Sequence, residues 1–494
     1  MVLPAPPRPE LEDVGRAGRR VLRLGLKWAR ADEAPTLPGL LADHLGPDAA
    51  ALPVVGETWP TYEHVNLQAG LDAWLAGEGR SHRLVGLTGF QHRMFSLADL
   101  SQPEAVMHGP GVGGVAMARM PVGPDGATRP CVRCGLYLVS KDGVHLAILL
   151  RKNEQHGPDP GVVLEVLCAD WELGDAVLAD VRRLALVHNV FRGQVVSFGS
   201  EMFGPRETAL TFHERPHLPR GALVLPPGLL EEIEAQVVGV ARHAPELQAA
   251  GLHLKRGLLL HGPPGTGKTH TVRYLLSQLD GHTVVILSGS AMHLVASACS
   301  VARALQPALV VVEDVDLIAE ARGMQPGGHP LLFQLLNEMD GLGEDVDVTF
   351  LLTTNRADLL EPALAARPGR VDLAVEIPLP DAASRRRLVE LYRGKLKLAP
   401  EALEEAVAGT EGVTASFIKE LLRRAALVAA TAGTKPGPLR VSQPQLHEAL
   451  DRLLGERNRL TRVLLGGEAP EAARPSHAAW MSEAPPHPGK GPPR

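Results

Sequence analysis

Apolar residues recur along this chain with different periods, and the changes of period divide it. Over residues 11–31, which are rich in arginine, and again over 61–75, they return every three to four positions, the spacing of a helix with one apolar stripe. Then the period shortens. Residues 131–140 and 144–150 form two apolar runs of strand length around Lys141, Asp142 and Gly143, a hairpin signal, and a further strand is predicted at 162–167. Residues 171–188 read as helix and 194–198 as strand, so residues 1–205 are predicted to form an α+β domain. The glycine cluster at 109–114 lacks the strand, helix and acidic residue of a dinucleotide site, and a flexible loop is expected there.

Residues 204–227 are rich in Pro, Arg and His, and a linker is expected at 206–226. Pro227 suits the first turn of a helix running to about His243, with Leu229, Ile233, Val237 and Val240 on one face. Beyond it, apolar strands at 283–287, 308–312, 348–352 and 373–377 alternate with helical segments. That is the pattern of a parallel sheet covered on both faces, and it sets an α/β domain at 227–382. From Asp381 onward the apolar period is helical around Leu388, Leu421 and Leu453, which gives a small helical lid at 383–465. The Pro-, Ala-, His- and Gly-rich tail at 466–494 is expected to be disordered.

One stretch carries a specific chemistry. Residues 257–269 read Gly-Leu-Leu-Leu-His-Gly-Pro-Pro-Gly-Thr-Gly-Lys-Thr, a short apolar strand followed by Gly262, Gly267, Lys268 and Thr269 at the four fixed positions of a P-loop. Glycines let backbone N–H groups turn toward phosphate oxygens, Lys268 brings a point charge to the β and γ phosphates, and the Thr269 hydroxyl can hold Mg²⁺. Pro263, Pro264, Gly265 and Thr266 complete the loop and His270 follows it, so all of 262–270 are candidate nucleotide contacts. Val272, Leu275, Leu276 and Leu279 then continue at helical spacing, which aims a helix N-terminus at the phosphates. Further along, the strand at 309–312 ends in Glu313 and Asp314, where a P-loop enzyme needs acids: one for the Mg²⁺ shell and the next to polarise the attacking water. Another strand ends in Asn355, whose amide can align that water, and Arg367 and Arg370 offer guanidinium groups to charge developing on a transferred phosphoryl group.

Composition narrows the picture only a little. A hydrophobic content of 45% describes a globular chain, while a net charge of −6 gives no electrostatic footprint for nucleic acid, which is not expected as a partner. No apolar run approaches the roughly 20 residues that span a bilayer, and the Pro-rich opening has no signal-peptide core, so the expected location is the cytoplasm. The four cysteines are too scattered for a disulfide framework. Cys131 and Cys134 form a CxxC without a completing pair, and two small strand residues are the expected reading, with a zinc half-site as the alternative.

Taken with residues 335–342 (Leu-Leu-Asn-Glu-Met-Asp-Gly-Leu), Thr354-Asn355-Arg356, 367–372 and 376–381, the P-loop resembles the AAA ATPase family, in particular the clade that includes proteasomal ATPases, valosin-containing protein and the mitochondrial complex III assembly ATPase. The resemblance covers roughly residues 222–460. It implies ATP and Mg²⁺ as cofactors, Lys268 and Thr269 as Walker A, Glu313 and Asp314 as Walker B, Asn355 as sensor 1, and Arg367 with Arg370 as arginine fingers. It also implies a homohexameric ring that hydrolyses ATP, with fingers reaching the neighbouring subunit; the first domain, outside the resemblance, is the expected place for a protein substrate or adaptor to be engaged. Two departures stand out. Walker B usually ends Asp-Glu, whereas here the order is Glu313-Asp314, an order that the complex III assembly ATPases share. Members that thread polypeptide carry a longer segment with an aromatic-hydrophobic-glycine pore loop between the positions of Gly289 and Pro307, where this chain has Met292, His293, Leu294 and Val295 and no aromatic. A ring that remodels a protein and an ATP-gated binding module with little turnover therefore both remain open.

Overall fold

A computed structural model describes residues 35–90, 95–153, 161–200, 208–316, 330–341, 343, 346–357, 371–433 and 438–464. The helix expected at 11–31, Arg367, Arg370 and the tail at 466–494 lie outside the described residues. The chain packs as two compact units. One draws its described residues from Met1–Leu218, Ile233–His261 and Thr271–Val375, the other from Pro219–Glu232, Gly262–His270 and Glu376–Arg494.

The first unit contains two sheets. The first is antiparallel and comprises β1 (Val54–Trp59), β2 (Arg80–Thr88), β3 (Gly111–Gly113), β4 (Ala116–Pro121), β5 (Thr128–Lys141), β6 (Val144–Lys152) and β7 (Val162–Leu167). Their order is β1-β7-β6-β5-β2-β3, with β4 also on β5. The hairpin expected from the pattern is β5–β6. Its two turn residues, Asp142 and Gly143, take φ of 49° and 80°, the left-handed pair that matches the twist of the flanking strands. The glycine cluster expected as a loop contains strand β3 instead. A β carbon on Gly113 would stand 2.2 Å from Thr88 Cγ2, so glycine there lets β3 close on β2.

Helix α1 (Leu37–Leu45) covers one face of this sheet, while α2 (His64–Leu75) and α3 (Trp171–Val187) cover the other. At the α2–α3 crossing a β carbon on Gly70 would meet the Val181 carbonyl at 2.6 Å, so glycine sets how closely these helices approach. Cys131 and Cys134 lie three apart on β5 and therefore face opposite sides, in separate cores. Burial pushes their thiols up to about 11 and about 12. Among the described residues no three His, Cys, Asp or Glu side chains are grouped to hold a metal.

The second sheet comprises β8 (Val195–Ser200), β9 (Thr208–His213), β10 (Arg256–His261), β11 (Thr283–Leu287), β12 (Ala308–Val312), β13 (Val348–Thr354) and β14 (Leu373–Glu376), in the order β14-β10-β13-β12-β11-β8-β9. Strands β10, β13, β12 and β11 are parallel neighbours, as their continuous apolar runs predict. The sheet extends beyond the expected boundaries at 205 and 206–226. Strand β8 joins β11 in parallel, and β9 returns antiparallel from within the expected linker. The physical reason is edge protection: without β8, the apolar strand β11 would end the sheet with unpaired backbone groups. Val65 and Cys131 share one core with Phe198, Met292, Val295 and Val315, so the two sheets pack as one body.

Helix α4 (Leu229–Glu234) continues through a π turn at Ala235–Gly239, and Ile233 and Val237 are buried as their spacing predicts. Helices α5 (Lys268–Gln278), α6 (Val295–Ala304) and α7 (Pro330–Asp340) alternate with the parallel strands. The second unit is built from α8 (Ala382–Arg393), α9 (Pro400–Ala408), α10 (Ala415–Thr431) and α11 (Gln443–Leu464) around an apolar cluster that includes Leu388, Leu421 and Leu453. A two-residue strand pair, β15 (Lys397–Leu398) with β16 (Arg440–Val441), accompanies the helices of this almost wholly helical unit. No described helix is long and apolar enough to cross a membrane.

Candidate nucleotide site

The phosphate loop belongs to the second unit and leaves the buried strand β10 directly. Gly262 and Gly267, the two glycines the sequence pattern fixes, take φ of 135° and 122°, and Gly265 between them takes 82°, so all three are left-handed or beyond. Two of them are also crowded. A β carbon on Gly262 would stand 2.4 Å from the Ile377 carbonyl oxygen, and one on Gly265 would stand 3.0 Å from Thr414 Oγ1. Thr266 Oγ1 donates to the Pro263 carbonyl at 2.9 Å, which ties the loop across itself. Lys268 is 6% exposed, and its Nζ donates to the Gly262 and Pro263 carbonyls at 2.8 and 3.0 Å. The ammonium is thus held inside the loop, while Thr269 is exposed at the start of α5. This cradle fits a polyphosphate: backbone donors, a fixed cation and a hydroxyl for Mg²⁺.

The lid stretch secures the same loop. Thr414 caps α10, and both the backbone N–H and Oγ of Ser416 donate to the Gly265 carbonyl at 3.2 Å. The His270 ring is committed elsewhere, donating from Nε2 to the Ala222 carbonyl at 3.1 Å. Pro264 is exposed at the loop surface.

The acid residues belong to the first unit. Strand β12 is buried along its length, and at its end the Glu313 N–H donates to the Leu287 carbonyl of β11 at 3.0 Å. Asp314 has φ of 52° and is one of two non-glycine residues with positive φ among those described. Asp and Asn tolerate this left-handed conformation better than longer side chains do, which gives the Glu313-Asp314 order a backbone reason. The Asp314 N–H donates to Thr353 Oγ1 at 3.0 Å, and Asn355 Nδ2 donates to Asp314 Oδ1 at 3.3 Å. Behind them Asp316, 5% exposed, accepts from Thr354 Oγ1 at 2.9 Å and from the Asn355 N–H at 3.1 Å. Glu313, Asp314 and Asn355 are therefore brought together at one end of the parallel strands. The residues that hold them, Asp316, Thr353 and Thr354, carried no role in the sequence reading. The available signals were an acid two residues past Asp314 and the Thr-Thr pair ahead of the amide.

Residues 258–379 match the family model described as "ATPase family associated with various cellular activities (AAA)". The chain is similar to the ATP-dependent zinc metalloprotease FtsH 3 of Sphaerobacter thermophilus, 32% identical over 53% of this chain and 55% of that protein. It is also similar to FtsH 2 of Methylacidiphilum infernorum, 34% identical over 45% of this chain and 36% of the relative, and to FtsH of Mycobacterium bovis, 34% identical over 44% and 30%. The chain thus spans about half or less of these curated relatives. Their names include zinc, and residues 213–217, His-Glu-Arg-Pro-His, match the letters of the H-E-x-x-H zinc motif. The motif needs a helix to bring both imidazoles to one face, but here it runs off the end of β9 into irregular chain. His213 Nε2 is hydrogen-bonded to Ser197 Oγ at 2.7 Å, and Arg215 donates to four backbone carbonyls, those of Leu276, Leu279, Gly193 and His282. These residues do not fit a zinc centre. Residues 258–379 thus form an α/β P-loop core similar to the AAA ATPase family, and its loop suits the phosphates of ATP with Mg²⁺.

Proposed function

We propose that this chain hydrolyses ATP as a ring of like subunits and couples the reaction to remodelling a protein partner, engaged by the residues that precede the nucleotide core. The supporting observation is the fixed carboxylate of Asp314, held through its backbone by Thr353 and through its side chain by Asn355. It lies just beyond β12, beside β13. The P-loop leaves from β10, whose last residue, His261, pairs with Thr354 of β13 in parallel register. Bound Mg²⁺ would neutralise charge developing on the phosphates, and Thr269 and Glu313 are the residues proposed to hold it. Asp314 then takes the proton of the attacking water, Asn355 fixes the carboxylate and orients that water, and Lys268 stabilises the β and γ phosphate oxygens. Arg367 and Arg370 are proposed to complete the site from the adjoining subunit, an effect of 10³ to 10⁵ in rate, on the order of 4 to 7 kcal/mol.

The test is ATP turnover per protomer across a range of protein concentration. A ring with shared sites shows turnover rising as subunits assemble, and Arg370→Ala abolishes turnover while retaining nucleotide binding. Concentration-independent turnover, or loss of binding in that variant, would overturn the shared site. A second reading, an ATP-gated binding module, draws support from residues 292–295, which include no aromatic and in which Met292 and Val295 are 4% and 3% exposed. Turnover well below about 1 per minute with partner present, far under the usual enzyme range, would favour it.

A further inference from the structure

The turn after β11 is covered by residues from the first part of the chain. Leu287, at the end of β11, accepts the Glu313 N–H. A 3-10 turn at Gly289–Leu294 follows and then α6, with Ala291, Met292 and Val295 all at or below 4% exposure. Their core includes Val65 of α2, Phe198 of β8 and Val315, the residue after Asp314, with the half-buried ring of Tyr62 packed against it. Tyr62 engages both neighbours. Its ring meets Phe198 in a T-shaped contact, with centroids 5.2 Å apart and planes at 88°, and its hydroxyl is hydrogen-bonded to the Ser297 side chain on α6. Burial pushes the phenol up to about 12, so it stays neutral at ordinary pH.

From this geometry we infer that Tyr62 is a positioning residue for ATP turnover. It wedges residues 289–297 against the end of β11. This fixes the Leu287 carbonyl that holds Glu313, and it fixes the apolar bed under Val315 that sets the left-handed Asp314. Edge-to-face aromatic contacts favour one ring orientation, and a close-packed core passes on a displacement rather than absorbing it. A partner that shifts α2 would therefore change turnover without touching nucleotide. This inference rests on the proposed hydrolysis, but its mechanical part is measurable without it.

The experiment uses the full chain with Tyr62→Ala, Tyr62→Phe and Ser297→Ala, and with Leu41→Ala as a control cavity. Leu41 is fully buried in the separate core under α1. Tyr62→Ala should lower kcat roughly tenfold while KM and ADP affinity stay within about twofold, a transition-state loss without a binding loss. Tyr62→Phe, which keeps the ring, should recover most of that kcat, and Ser297→Ala should match it. Leu41→Ala should leave kcat per folded protomer unchanged. Hydrogen exchange at the Glu313 and Val315 amides should quicken in Tyr62→Ala and not in Leu41→Ala. Equal losses in Tyr62→Ala and Leu41→Ala, or unchanged kcat and exchange in Tyr62→Ala, would overturn the inference. If Tyr62→Ala does not fold, a kcat in both Tyr62→Phe and Ser297→Ala lowered about twofold at constant ADP affinity supports it, and no change in either overturns it. A wild-type chain without turnover would sink the proposed function, and the exchange measurement would then decide the wedge alone.

Discussion

The phosphate loop and the acid turn are both set at strand ends, yet they are built from different material. The loop is backbone. Its shape comes from three glycine φ values and from bonds to its own carbonyls, those of Gly262, Pro263 and Gly265. The acid turn is side chain. Thr353, Asn355 and Asp316 hold it through contacts between residues 38 to 41 apart in sequence. A backbone site crowded at Gly262 and Gly265 has little room for a β carbon there and should fail as a whole. A side-chain site should weaken one hydrogen bond at a time.

The sharpest way to break this contrast is Gly262→Ala, which places a methyl 2.4 Å from a carbonyl oxygen at a φ of 135°. ADP binding measured by calorimetry should weaken by at least 100-fold, about 2.7 kcal/mol. Near-normal affinity would mean that the loop yields more than its geometry suggests. Asp316→Asn should act on the other side alone. It removes a buried anionic acceptor worth about 1.5–3 kcal/mol, so kcat should fall roughly tenfold with ADP affinity within about twofold. Loss of binding instead would show that the two halves are not separable.

A smaller effect is expected from Asp314→Glu, which restores the commoner acid at that position. The longer side chain is less suited to φ of 52°, so chemical denaturation should show a loss of about 1 kcal/mol, and turnover should be lower than wild type. Turnover above wild type would contradict the backbone explanation of the Glu-Asp order. The smallest effect concerns Cys131 and Cys134, whose thiol values lie above the ordinary 9.0 because burial disfavours thiolate. The folded state keeps these protons longer than the unfolded state does. Their stabilising contribution is therefore intact below pH 9 and is lost as pH rises toward about 11 to 12. Neither should react with iodoacetamide at pH 8 until denaturant is added, and rapid labelling of the native chain would contradict their burial in two separate cores.

The same contrast explains what could be read from residues alone. The P-loop, the β5–β6 hairpin and the parallel apolar strands are local patterns, in which each residue type answers a need of its own backbone. The β8–β9 extension was hidden because strand β8 pairs with β11, whose first residue, Thr283, lies far along the chain, and no local pattern names a distant edge. Strand β3 was hidden because its glycines serve close approach to Thr88 rather than chain freedom. Asp316 and Ser416 were passed over because their importance lies in which carbonyl, amide or hydroxyl each one meets.

Everything proposed for catalysis converges on one carboxylate, so the most direct measurement is phosphate release by Asp314→Asn beside wild type, with ADP and ATP affinity determined on the same preparations. The expected result is turnover reduced by about 10² to 10⁴ with affinity within about threefold, since the substitution removes a proton acceptor and leaves the phosphate loop intact. Unchanged turnover would contradict the assignment of Asp314, and with it the hydrolytic reading of this site.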